Sequence, residues 1–209
     1  ETLRKKYNEA LNVSSKVVGL QIATRPDCIN KEICECLSEF NKKTSVVVEL
    51  GLQTASDRVG KIINRQYSTE DFVRAVKLLN LYNIEVVVHV MVGLPTDTEE
   101  NLIRTIDLIN SLPIKGVKIH STYIIRGTGL EKMYLTGNYT PITKEFYLHS
   151  LEKVITRLRP DIVIHRLSGD PPKSEFVAPL WMLNKKTIIN GIDKILKEKN
   201  LYQGIYYKK

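Results

Sequence analysis

Short runs of apolar, largely β-branched residues recur five times along the chain, at 17–23, 45–53, 85–92, 116–125 and 161–165, each bounded by Gly, Pro, Asn or Ser. Runs of this length and punctuation predict strands. Between them the apolar positions change to helical spacing. The segment 31–40 sets Ile33, Leu37 and Phe40 on one stripe, and Ser68 opens a helix carrying Phe72, Val73, Val76 and Leu79. Thr96-Asp97-Thr98-Glu99 reads as a capping box before Leu102, Ile106 and Ile109, and a last helix is predicted over 185–196. Strand alternating with helix is the repeat of a βα unit. Val46-Val47-Val48 and Val86-Val87-Val88 are continuous apolar triplets, as a parallel sheet covered on both faces requires. The expectation is an α/β protein with parallel strands, either an open five-stranded sheet or an incomplete (β/α) barrel. A full eight-unit barrel takes about 250 residues, and this chain has 209. Residues 1–168 are expected to form the partial barrel. Residues 169–209, a loop from Gly169-Asp170-Pro171-Pro172, a helix and an aromatic tail, are expected to pack on it.

Composition narrows the class. With 43% hydrophobic and 26% charged residues, disorder and fibre are excluded. The most apolar stretch, 86–94, is strand length and carries His89, so no membrane span is expected. The polar first twelve residues do not read as a secretory signal, and a cytoplasmic location follows as the expectation. The net charge of +8 gathers toward the end, where Lys185, Lys186, Lys194, Lys197, Lys199, Lys208 and Lys209 face only Asp193 and Glu198. Such a tail suits an anionic partner such as RNA, with Tyr202, Tyr206 and Tyr207 available to stack on bases. Cys28, Cys34 and Cys36 are spaced C-x5-C-x-C, which fits no zinc or iron–sulfur ligand run and reads as thiols beside a helix.

Parallel α/β folds carry their chemistry at the carboxyl ends of strands, so the residues closing each apolar run are informative. They are unusually polar. Thr24-Arg25-Pro26-Asp27 closes the first; Glu49, Gly51 and Gln53 share parity, and so one face, on the second. His89 lies in the third, His120 in the fourth, and His165 with Arg166 ends the fifth. Three histidines on successive strands admit zinc ligation and hence a metal-dependent hydrolase of barrel type. The Gly93-Leu94-Pro95-Thr96 turn before a helix could seat an anion on its amides. Neither the dinucleotide glycine fingerprint nor a phosphate-binding P-loop occurs.

Taken in order, Thr24-Arg25-Pro26-Asp27, Glu49-x-Gly51-x-Gln53-Thr54, Asn64-Arg65, Gly93-Leu94-Pro95 and Gly127-Thr128-x-Leu130 resemble the radical S-adenosylmethionine superfamily. The branch they look most like contains the elongator catalytic subunit and oxygen-independent coproporphyrinogen dehydrogenase. Pro179-Leu180-Trp181-x-x-Asn184-Lys185 with Gln203-Gly204 is similar to its YhcC-like group. The resemblance implies a (β/α)6 partial barrel and an Fe–S oxidoreductase. Such an enzyme uses a [4Fe–4S] cluster to cleave S-adenosylmethionine reductively, and the 5′-deoxyadenosyl radical takes hydrogen from a substrate. It implies that Gln53 bonds the ribose hydroxyls and Arg65 the methionine carboxylate, that His89 stands where a second ribose ligand does, and that Met91 stands at the adenine. Glu49 and Gly93 complete the expected cofactor-binding set, and tRNA becomes a possible partner by analogy. The cysteine triplet that relatives place after their first strand is not present. With a chain opening at Glu1 inside a helix pattern, the expectation is a fragment lacking the first two βα units and the cluster ligands. It would be inactive alone and prone to self-association through exposed barrel edges.

Overall fold

A computed structural model describes residues 2–208; Glu1 and Lys209, on which the expectation about the chain's start and one tail lysine fall, lie outside the described residues. The strands are β1 (Gly19–Thr24), β2 (Ser45–Gln53), β3 (Glu85–Val92), β4 (Gly116–Ser121), β5 (Ile124–Ile125), β6 (Val163–Arg166) and β7 (Phe176–Ala178). The helices are α1 (Thr2–Asn12), α2 (Lys31–Asn41), α3 (Asp57–Ile62), α4 (Thr69–Leu81), α5 (Glu99–Asn110), α6 (Gly129–Leu135), α7 (Lys144–Arg157) and α8 (Lys185–Glu198). Five strands form one parallel sheet in the order β1-β2-β3-β4-β6, and β5 pairs antiparallel with β7.

Side-chain alternation decides how the sheet is covered. Val46, Val48, Leu50 and Leu52 of β2, Val86, Val88, Val90 and Val92 of β3, and Val117 and Ile119 of β4 are buried in one core with the apolar stripes of α2, α4, α5, α7 and α8. The intervening residues, Glu49, Gly51, Gln53, His89, Met91, Lys118 and His120, stand on the opposite face. The sheet is thus covered by helices on one face only, contrary to the reading of the valine triplets. Val47 and Val87 complete those triplets on the second face, and neither belongs to the helix-covered core.

Local chemistry sets the helix starts. Ser68 and Asp71 form a reciprocal capping box at α4. The box expected at 96–99 does not form: Thr98 is the N-cap and accepts from the Asn101 amide, while Thr96 sits in the turn with φ 60°. The run 116–125 divides after Thr122, whose amide still bonds the Val92 carbonyl, and β5 turns to meet β7. Trp181 stacks on Tyr147 with ring centroids 5.4 Å apart and donates to the Ile142 carbonyl. The Gln203 amide donates to the carbonyls of Arg159 and Ile162. The basic tail is largely neutralised locally, since Lys185 pairs with Asp170, Lys194 with Glu198, Lys197 with Asp193 and Lys199 with Glu152. No described helix is long and apolar enough to cross a membrane.

Candidate functional site

At the carboxyl ends of β1 to β4 opens a cleft of about 700 Å³, walled by Arg25, Gln53, Tyr67, Met91, Thr122 and Tyr123 among others. That volume is within the range of small-molecule sites. Its β2 end is built around a missing side chain. A Cβ on Gly51 would meet Gln53 Nε2 at 2.7 Å and Tyr67 Oη at 3.0 Å, so only glycine lets the Gln53 amide fold over the strand. Tyr67 Oη donates to the Gly51 carbonyl at 2.8 Å, and burial pushes this phenol up from its ordinary range. Gln53 itself ends the strand with φ 65°.

Arg65 is turned inward. Nη1 donates to the carbonyls of Leu52 and Thr54 at 3.0 and 2.6 Å, Nε to that of Tyr67 at 2.9 Å, and Nη2 to Asp57 at 2.5 Å and Thr69 at 3.4 Å. A guanidinium has five N–H groups, and all are engaged by protein acceptors. The expected pairing of Arg65 with a ligand carboxylate therefore finds no free donor. The residue clamps the exit of β2, and a Cβ on Gly60 would press on its guanidinium at 3.0 Å. Arg25 lies at the rim, half exposed, with its guanidinium 5.6 Å from the Tyr67 ring centroid and a two-point bond to Asp27.

On the same face, toward the middle of the strands, Glu49 is buried and holds two partners: His89 Nε2 on one oxygen and Lys118 Nζ on the other, the latter at 2.6 Å. Burial pushes the Glu49 carboxyl up, but the bonds from Lys118 and His89 outweigh it and leave the group below its ordinary range. His120 stacks on His89 with centroids 5.2 Å apart. Burial above all, with the positive charges of Arg166 and Lys118 nearby, lowers the His120 pKa to about 4, so the ring is neutral in physiological conditions.

Of the six expected cofactor-binding residues, Gln53, Arg65 and Met91 line the cleft. Glu49 and His89 lie beside it in the Lys118 cluster. Gly93 (φ 85°) faces a separate pocket of about 260 Å³, where its carbonyl accepts from Tyr139. The three histidines do not converge: His89 is held by Glu49, His120 stacks on it, and His165 lies exposed with its ring against Gly116. Among the described residues no group of three His, Cys, Asp or Glu could hold a metal ion. Cys34 and Cys36 are buried in the core beneath α2, and Cys28 is exposed. The sequence reading missed Tyr67, Lys118 and Tyr123, although it had placed Thr122 among the polar residues closing the fourth strand. Lys118 shares strand parity with His120 and could have been found that way, whereas Tyr67 belongs to an irregular segment with no periodicity.

Sequence and structure comparisons align with this arrangement. A sequence model of the Radical SAM superfamily matches residues 1–109, and one of the Radical_SAM C-terminal domain matches 114–198. The chain is 32% identical to the uncharacterized protein YtqA of Bacillus subtilis over 209 residues, all of this chain and 65% of that protein. It is 30% identical to protein YhcC of Escherichia coli, over 95% of this chain and 64% of that one. The chain thus spans somewhat under two thirds of the length of these relatives. Among solved structures, the archaeal Elp3 of Methanocaldococcus infernus superposes with a TM-score of 0.78 at 26% identity, covering 89% of this chain and 43% of Elp3.

Proposed function

The chain belongs to the radical SAM superfamily, and from that membership we propose that the cleft at the carboxyl ends of β1 to β4 holds S-adenosylmethionine. The observation that carries the reading is the Gly51 cradle, which leaves the Gln53 amide at the cleft wall. A primary amide both donates and accepts, which matches a ribose diol. Met91, Leu94 and Ile63 offer an apolar wall for the adenine. Arg25 is the rim guanidinium placed to meet the methionine carboxylate, by exchanging its Asp27 partner. Arg65 acts one step back, as a positioning residue that fixes the Leu52–Thr54 turn and with it Gln53.

When bound, the cofactor supplies radical hydrogen-abstraction chemistry, and the protein supplies binding, orientation and exclusion of water. The described residues do not fit the superfamily's [4Fe–4S] cluster, because their three cysteines do not converge on the cleft. No step through a cluster is assigned to this chain, and reduction of the chain alone is expected to form no 5′-deoxyadenosine. The tail gives weaker support to tRNA as partner, since four of its lysines are paired with carboxylates.

Calorimetric titration of the chain with S-adenosylhomocysteine tests the proposal. Binding is expected in the wild type and about tenfold weaker in Gln53→Ala, the equivalent of ~1.4 kcal/mol. A wild-type chain that gives no heat with this ligand overturns the reading.

A further inference from the structure

At the β4 end of the cleft, where Thr122 lines the wall, and just beneath it on the same sheet face, where His120 registers against the cleft residue Met91, lies a feature that cofactor binding at Gln53 does not use. Two buried polar side-chain atoms have no hydrogen-bond partner among the described residues, His120 Nε2 and Thr122 Oγ1. They belong to residues two apart in the chain. Positions 120 and 122 lie on one side of an extended stretch at the end of β4, and His120 registers against Met91 of β3. Thr122 is 2% exposed, and its backbone is already committed, the amide to the Val92 carbonyl at 2.9 Å and the carbonyl to Ser121 Oγ. The hydroxyl therefore has only χ1 rotation with which to find a partner, and its residue lines the cleft.

We propose that this end of the cleft is the substrate side, and that His120 and Thr122 receive a neutral hydrogen-bonding group of the substrate, of the carboxamide or lactam class. The assignment rests on the reading that the cofactor occupies the β2 end. Three observations select a neutral group. Glu49 is satisfied by His89 and Lys118, so the carboxylate and the ammonium on this face cancel each other. His120 is an uncharged ring that can donate or accept according to its tautomer. Arg166, the other cation near His120, is exposed and faces Asp170 at 3.9 Å. Near Thr122 the cleft wall is apolar or aromatic, with Tyr123, Leu130 and Met133, which suits the body of a small neutral molecule, and the cleft's rim arginine Arg25 is assigned to the cofactor end. Tyr123 is itself held by the Phe176 ring at 6.3 Å, so the wall is fixed by the β5–β7 pair.

The test uses the whole chain saturated with S-adenosylhomocysteine and three probes: 2-pyrrolidinone as the neutral lactam, with acetate and inorganic phosphate as charged controls. Nitrogen-detected spectra of the histidine rings read His120, and saturation transfer reads probe binding in the variants. The lactam is expected to move the His120 resonances, and its affinity is expected to fall at least fivefold in Thr122→Val and to return in Thr122→Ser. Acetate and phosphate are expected to leave His120 unmoved. The inference is overturned, with the cofactor reading intact, if the anions compete equally for the site or if Thr122→Val binds the lactam undiminished. A wild-type chain that binds no S-adenosylhomocysteine overturns the cofactor reading and with it the designation of a substrate side.

Discussion

Arg65 spends a full positive charge on holding a turn. Its guanidinium is 2% exposed, and the carbonyls of Leu52, Thr54 and Tyr67 have it as their common donor. A lysine offers one compact ammonium in place of a planar fork, so it cannot serve all of them. Arg65→Lys is expected to cost roughly 2–4 kcal/mol in urea unfolding, because buried carbonyls lose their donors and Asp57 its partner. His120 makes a second prediction, in pH. The unfolded chain takes up this proton near pH 6.5 and the folded chain near 4. Between those values the unfolded state holds more protons, so stability falls as pH falls, by at most roughly 3 kcal/mol. His120→Phe keeps the stack on His89 and removes the titration, and its unfolding free energy is expected to vary less than that of wild type between pH 6.5 and 4. Some of this site was legible beforehand. Strand parity places Glu49, Gly51 and Gln53 together, and the motif resemblance singles out Met91. The partners of Arg65 were not legible, because they are main-chain carbonyls of an irregular turn, and every residue type carries one.

Among the elements, the legible ones are those whose stripe and start signal agree. Helix α4 has both: Ser68 accepts from the Asp71 amide while Asp71 returns a bond to the Ser68 amide, and Phe72, Val76 and Leu79 are buried. Ser68→Ala is expected to lower stability by about 1 kcal/mol, read as a shift of the thermal midpoint. The start of α5 was read two residues early, since the box pattern requires an acid at the third helical position and Asn101 occupies it. The division of the run 116–125 could not be read from apolar spacing, because Ile124 is as buried as any strand residue although it belongs to a different sheet. The valine triplets were over-read for a related reason. Val87 is 2% exposed yet lies outside the helix-covered core, so its burial on the other face owes nothing to those helices' stripes.

At the scale of the whole molecule, the order β1-β2-β3-β4-β6 follows the chain with one strand left out. Every neighbouring pair in the main sheet is therefore joined by a crossover through the helices that cover its apolar face. The two outermost strands described, β1 and β6, each pair on one side only. This serial order also bears on how the molecule assembles. Pairings that close short stretches of chain cost less entropy and form sooner than those that close long ones. Each strand from β1 to β4 meets its predecessor after a single intervening crossover, so the sheet can grow one unit at a time. The β5–β7 pair, whose Phe176 packs against the cleft residue Tyr123 just before β5, must wait for α6, α7, β6 and the Gly169 loop. In pulse-labelled hydrogen exchange during refolding, amides of β2 and β3 are expected to gain protection before those of β5 and β7. Equal rates would show that the wall is laid down with the sheet, whereas the serial order predicts that a binding-competent cleft is the last part of the chain to form.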